Sequence, residues 1–166
     1  MDIDKIVDYF LTKIPIEAVE SGEGIHTIKL QKLLFFAQEE YLYKYKKPLF
    51  DEPIEAWRHG PVVRKVWNKF RNEKIISAVP LSNNINIPDD VKSILDYVWA
   101  LYGDKDEWYL RDLTHTYEIW KNKYQAPISN EIITIDEILD YKIKIEQAKK
   151  QAKKEALEVI QRVCNG

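Results

Sequence analysis

The sequence predicts a mainly α-helical protein of the α+β class: a single globular helical domain with a small two- to three-stranded β-sheet and a long C-terminal helix. Three observations lead to this prediction. Apolar residues recur at three- and four-residue intervals over most of the chain, which is helical spacing. Two short segments, residues 54–57 and 74–81, have the composition of strands instead. With 166 residues and one cysteine, the chain has no intramolecular disulfide and is long enough to bury a core without one.

The N-terminal third of the chain is dominated by one apolar helix. A first helix is predicted over residues 2–13, before Pro15, and residues 16–26 are expected to form a brief helical turn and a glycine-containing loop. The main helix follows with Thr27 as its N-cap, because a threonine hydroxyl can accept a hydrogen bond from a free amide there. Its apolar residues cover most of its circumference, so we expect a buried helix that Pro48 terminates.

The middle of the chain predicts two strands and several shorter helices. Residues 54–57 form the first strand, and a turn at residues 59–61 leads into a helix over 61–72 with Pro61 at its first position. Residues 74–81 are expected to pair with the first strand. Helices follow over residues 88–103 and 106–113, and Thr114 is expected to cap another short turn that contains Trp120.

The last predicted helix covers residues 135–163. Thr134 and Glu137 form a capping-box pattern at its start, in which each side chain can satisfy a free amide of the other residue. The residues of its expected inner face are Ile138, Tyr141 or Lys142, Ile145, Ala148, Ala152, Ala156, Val159 and Val163. Its other face is basic, with seven Lys and Arg against three Glu from Lys142 to Arg162. Such a face is either a solvated surface or attractive to an acidic partner or a phosphate backbone.

The net charge, the hydropathy pattern and the cysteine count of the sequence argue against several classes of protein. A formal net charge of −2 argues against a general nucleic-acid binder, which usually has a basic excess. No stretch approaches the roughly 20 apolar residues of a membrane span. The acidic N-terminus has no signal-peptide pattern, and the lone Cys164 fits a reducing compartment. These features together predict a cytoplasmic protein with no membrane partner.

No catalytic, cofactor or metal site is predicted from local motifs. The three histidines, His26, His59 and His115, are far apart in the sequence, and the chain has no H-E-x-x-H, C-x-x-C, glycine-rich phosphate loop or G-x-S-x-G motif. Cys164, two residues from the end of the sequence, is expected to be poorly placed for a buried nucleophile with an oriented base. A metal-dependent hydrolase in which the three histidines converge in space stays an alternative of another class.

Three sequence blocks resemble one known family. Leu30-Gln31-Lys32-Leu33-Leu34-Phe35-Phe36-Ala37 is similar to the LQKLLYFAQ-type helix of the Panacea domain, the SocA/GepA-like antitoxin family. The PLF of residues 48–50 and the EAWRHGPV of residues 55–62 resemble the PLF…EAWxxGPV segment of that family. Leu113-Thr114-His115 with Trp120 resembles its LTH…W block. The blocks occur in the same order and spacing over about residues 5–125, so the last helix lies beyond them.

The resemblance implies an antitoxin and not an enzyme. Members of the family neutralise unrelated toxins encoded by an adjacent gene, some deliver the toxin to a AAA+ protease as proteolytic adaptors, and others are phage-associated. We therefore expect neutralisation of a cognate toxin by direct protein–protein binding. A proteolytic adaptor is the first alternative, and nucleic-acid binding through the basic last helix is another.

Candidate partner-binding residues are Trp57, Arg58 and His59, because they lie on a turn and because aromatic and Arg side chains are common anchors of interfaces. A structural role is open for each of them. The other motif positions are interpreted as structural: Leu30, Gln31, Lys32, Leu33, Leu34, Ala37, Gly60, Pro61, Thr114, His115 and Trp120.

Overall fold

The computed structural model describes residues 1–15, 23–77, 85–127 and 130–164. Within these ranges the elements are α1 (Ile3–Leu11), β1 (Gly24–His26), α2 (Thr27–Tyr45), β2 (Ile54–Trp57), β3 (Gly60–Val63), α3 (Arg64–Phe70), β4 (Ile75–Ser77), α4 (Asp89–Tyr102), α5 (Glu107–His115), α6 (Glu118–Lys123), β5 (Ile132–Ile133) and α7 (Ile135–Cys164). The predicted class, mainly helical with a small sheet and a long C-terminal helix, is confirmed. No described helix has the length and hydropathy that a membrane crossing requires.

The main helix, α2, is the centre of the core, and it is buried on most of its circumference as predicted. Helices α1, α4, α5 and α7 and strand β3 all pack on it. Its N-cap is His26 and not Thr27, since the His26 Nδ1 accepts a hydrogen bond from the Ile28 amide at 3.3 Å. Thr27 is the first residue of the helix, and its hydroxyl donates to the Glu73 carbonyl at 2.6 Å. The helix ends at Tyr45, ahead of Pro48, where Lys46 takes a left-handed conformation.

The described residues form two small sheets, and the predicted strand pairing is wrong. Strand β2 pairs with β3 on one side and β5 on the other, both antiparallel. Strand β4 pairs instead with β1, so Gly24 belongs to a strand and not to a loop. The helix predicted over residues 61–72 also begins later, at Arg64, because residues 60–63 continue the ladder with β2. The helical turn expected after Pro15 and the end of the predicted strand at residues 78–81 lie outside the described residues.

The helices after the hairpin are close to their predicted positions. Helix α4 starts after Pro88 and is capped by Gly103, and Asp106 caps α5 by accepting from the amides of Trp108 and Tyr109. The cap predicted at Thr114 is wrong, because Thr114 lies inside α5 and donates to the Arg111 carbonyl at 2.8 Å. The following helix, α6, starts at Glu118.

The capping box of α7 is confirmed: the Thr134 amide donates to the Glu137 carboxylate at 2.8 Å, and the Glu137 amide donates to the Thr134 hydroxyl at 3.3 Å. The predicted inner face is correct only near the start, where Ile138 and Lys142 are buried. Residues 147–164, which we call distal α7, are exposed throughout. The predicted burial of Ala148, Ala152, Ala156, Val159 and Val163 is therefore wrong.

Candidate functional site

The site is built around the turn that joins β2 to β3. Trp57 pairs with Gly60 across the hairpin, so only Arg58 and His59 form the turn. Gly60 has a φ of 96°, which lies in the left-handed region that side chains disfavour. A Cβ atom at Gly60 would lie 2.5 Å from the Thr114 Oγ1 and 2.8 Å from the Lys32 Nζ. Glycine is therefore required here by both backbone conformation and space.

Lys32 holds this turn from the side of α2. Its side chain is buried, and its Nζ donates to the Pro61 carbonyl at 2.7 Å. Burial lowers the pKa of this ammonium well below its ordinary value, since the charged form loses its hydration. Gln31, the preceding residue, forms two hydrogen bonds with the backbone of Val63, accepting from its amide at 2.8 Å and donating to its carbonyl.

Helix α5 and helix α6 hold the turn from the other side. The Trp120 Nε1 donates to the Trp57 carbonyl at 2.9 Å, and the Trp120 ring stacks on the His115 ring with centroids 3.9 Å apart. Thr114 is fully buried against Gly60. We call the hairpin of residues 54–63 together with Gln31, Lys32, Thr114 and Trp120 the hairpin clamp.

The three predicted partner-binding residues lie together at this turn but differ in exposure. Arg58 is exposed, and His59 is half-buried against Trp108, with ring centroids 6.2 Å apart. Trp57 has a structural environment: its Nε1 donates to the Glu55 carboxylate at 2.9 Å, and its ring meets Trp67 edge-on at 5.5 Å. Glu55 in turn forms two hydrogen bonds with Arg64, and these lower the pKa of its carboxyl against the opposing effect of burial.

Trp108 and Arg111 belong to the site although the sequence reasoning missed them. Trp108 is 50% exposed, and the Arg111 guanidinium lies 5.8 Å from its ring centroid. Their signal in the sequence is spacing, since positions 108, 111 and 115 fall on one face of a helix. This face of α5 meets the hairpin turn.

Several nitrogen atoms at the site lack partners. Among the described residues, His59 Nδ1, His115 Nε2 and Arg111 Nε are buried without a hydrogen bond. Burial lowers the pKa of both imidazoles, and the positive charges of Arg111 and Lys32 lower them further. The Nε2 atom of the third histidine, His26, lies 3.7 Å from the Oε1 atom of Glu107. Within the described ranges, no group of three or more His, Cys, Asp or Glu side chains could hold a metal ion.

No curated protein and no solved structure matches this chain. A family model does: the one described as "Antitoxin SocA-like, Panacea domain" matches residues 30–121, which is more than half of the chain. The matched segment begins in α2 and ends in α6, so it contains the whole hairpin clamp and leaves out α7. Membership of an antitoxin family implies a role related to toxin–antitoxin systems, with a toxin as the general kind of partner, and it favours a non-catalytic role. The chain thus belongs to the SocA-like antitoxin family, whose Panacea domain it carries.

Proposed function

We propose that this protein is an antitoxin that neutralises a cognate toxin by direct binding, and that the hairpin turn with the adjoining face of α5 is the binding surface. The observation that carries this proposal is the exposure of Arg58, on a turn that α2, α5 and α6 hold in place, and of Trp108 on the adjoining face of α5. Arg and Trp are enriched among the residues that dominate the binding energy of interfaces. A turn that is already ordered loses little conformational entropy when a partner binds to it.

The physical action of such an antitoxin is to cover the active surface of the toxin. The His59 ring packs against the Trp108 ring in an edge-to-face contact, which helps to fix the orientation of Trp108. The surface thus combines aromatic area with a cationic rim, which is a usual composition for a protein-binding patch.

The test is co-expression with the product of an adjacent gene, scored by growth and then by co-purification. We expect rescue of growth and a stable stoichiometric complex. In the complex, Trp108→Ala and Arg58→Glu should each weaken binding by about tenfold or more, because losing an anchor costs more than about 1.4 kcal/mol. Tyr97→Ala is the matched control for Trp108, since Tyr97 lies on α4 and is 49% exposed. Rescue that survives both anchor substitutions unchanged would contradict the proposed surface, and absence of rescue would contradict the proposed neutralisation.

A proteolytic adaptor is the second candidate, and one observation favours it. An adaptor needs a second surface for the AAA+ protease, and distal α7 exposes Leu157, Val159, Ile160 and Val163 outside the family-matched segment. The discriminating measurement is the half-life of the toxin in cells. An adaptor shortens this half-life when it is present, whereas a neutralising antitoxin leaves the toxin intact in a complex.

A further inference from the structure

A cavity of about 80 Å³ lies between α2 and the hairpin turn. Its walls are apolar and include Trp57, Val62 and Trp67. A water molecule occupies about 30 Å³ of liquid, so the cavity has room for a group of a few heavy atoms. Its walls favour a group with an apolar stem, because burying hydrocarbon against indole rings releases water from both surfaces.

The polar side chains of the cavity are mainly basic. Lys32, Arg58 and His59 line it, and the described residues contribute no Asp or Glu side chain to its lining. Lys32 uses one donor for the Pro61 carbonyl, whereas a lysine ammonium has three. His59 Nδ1 is buried and unpartnered. The cavity therefore combines apolar walls with a lysine that has unused donors and an imidazole nitrogen that has no partner.

The surroundings of the cavity add further positive charge. Arg111 and His115 on α5 contribute one unpartnered nitrogen atom each, and the charge of Lys32 acts on both His59 and His115. Two acidic residues of α5 oppose this charge: Asp112 pairs with the Arg111 Nη1 at 3.4 Å, and Glu107 faces His26. Basic groups that are buried together without anions destabilise their charged forms, and a bound anion removes that penalty.

We propose that this cavity is a carboxylate-binding pocket, in which Lys32, Arg58 and His59 hold the carboxylate and the indole rings of Trp57 and Trp67 hold its apolar stem. Phosphate fits less well, because a strongly hydrated dianion gains nothing from the apolar walls. The natural source of the carboxylate is an Asp or Glu side chain or the chain terminus of the bound toxin. That source depends on the proposed function, whereas the binding of a free carboxylate does not.

The test uses the full chain without a toxin and follows the imidazole signals of its three histidines by NMR during titration with sodium butyrate. We expect a saturable shift of the His59 signal with a dissociation constant on the order of 1 mM, which is typical of a ligand of this size. The His26 signal is the internal control, because that imidazole faces Glu107 and lies outside the cavity lining. Sodium chloride and sodium phosphate at equal ionic strength are the comparison salts.

Two variants locate the site. Lys32→Met should weaken butyrate binding by about tenfold, since a hydrogen bond to a charged group is lost. Arg58→Gln should weaken it by a smaller factor, and this variant keeps the fold because Arg58 is exposed. Lys150→Met on distal α7 is the control and should bind butyrate as the native chain does. A His59 signal that does not saturate with butyrate, that responds equally to chloride, or that saturates only with phosphate would overturn the proposal, while the antitoxin function would still be open to its own test.

Discussion

The hairpin clamp and distal α7 differ in where their polar groups find partners. In the hairpin clamp, buried side chains from α2, α5 and α6 contact the backbone of one hairpin, and those of Lys32, Gln31 and Trp120 form hydrogen bonds with it. In distal α7, the polar contacts are local and solvent-exposed, such as the Gln151 bond to Glu155 at 2.7 Å. Buried polar groups are costly to leave unsatisfied, whereas exposed ones exchange partners with water. Substitutions of similar size should therefore have very different effects in the two regions.

The largest effect is expected from Gly60→Ala in the hairpin clamp. The new methyl group would meet Thr114 Oγ1 and Lys32 Nζ at less than contact distance, and the φ of 96° is strained for alanine. Backbone strain and overpacking together should lower the free energy of unfolding by about 3–5 kcal/mol. Urea denaturation followed by circular dichroism measures this loss of unfolding free energy. A loss below about 1 kcal/mol would show that the turn can move away from α5 without penalty.

The next effect is expected from Gln38→Leu, which tests whether bonding to backbone is what makes α2 side chains indispensable. The Gln38 Oε1 accepts from the amides of Leu49 and Phe50 at 2.8 and 3.3 Å, and its Nε2 donates to the Phe50 carbonyl at 2.9 Å. Leucine has a similar volume but leaves these backbone groups unsatisfied, so we expect a loss of about 2–4 kcal/mol. Gln147→Leu in exposed distal α7 is the matched control and should change the unfolding free energy by less than about 0.5 kcal/mol. Equal effects of the two leucine substitutions would show that bonding to backbone does not make α2 side chains more important for stability than those of distal α7.

A smaller effect, and one that depends on pH, is expected from Lys142→Met at the base of α7. The Lys142 Nζ lies 2.6 Å from a carboxylate oxygen of Glu40, 3.1 Å from one of Glu146 and 3.7 Å from one of Glu39. Because Glu39 and Glu40 belong to α2, these ion pairs connect the start of α7 to α2. Burial raises the pKa of Glu39 to about 7, and the charge of Lys142 opposes that rise. Because the folded-state pKa is raised, the stability that Glu39 contributes is present below its unfolded value and is lost as the pH rises through about 7.

Removing Lys142 should therefore cost more at pH 8, where Glu39 must be buried as an anion, than at pH 5, where it is protonated. We expect a loss of about 2 kcal/mol at pH 8 and a smaller one at pH 5, measured by urea denaturation at both values. Lys144→Met removes the exposed pair with Glu118 and should leave the stability unchanged at either pH. A loss that is the same at both pH values would mean that Glu39 does not titrate in this range.

The sequence predicted those elements whose signals are local. Apolar periodicity identified the burial of α2, and side chains adjacent in sequence identified the caps at Asp106 and Thr134. Strand pairing is a long-range property, and the short β4 carries no mark in its sequence of pairing with β1 and not with β2. Residues 60–63 were interpreted as the start of a helix because Pro61 suits a first helical position and the valines that follow have helical spacing. In the structure these residues form a strand instead, since their backbone pairs with β2.

The candidate site was predicted in part. The turn predicted at residues 59–61 lies instead at Arg58 and His59, because Gly60 and Pro61 belong to β3. The contribution of α5 through Trp108 and Arg111 depends on the packing of that helix against the hairpin. The burial of Lys32 beside the turn was not predicted, because it depends on three elements that are distant in sequence. In distal α7 the apolar stripe is present, but a stripe predicts burial only where a neighbouring element is available to cover it.

An effect on stability smaller than that of Lys142→Met is expected from deleting residues 148–164, although this deletion removes more atoms than any substitution above. The deletion keeps Ile138 and Lys142, the buried residues of α7, and takes away a segment that is exposed throughout. We expect the unfolding free energy to change by less than about 1 kcal/mol, because surface residues without buried partners contribute little to it. If the hairpin turn is the toxin-binding surface, the truncated chain should still co-purify with the toxin and restore growth. A truncated chain that is equally stable but no longer binds the toxin would move the interface from the hairpin clamp to the apolar row of distal α7, and binding without rescue would instead identify that row as the contact for a protease.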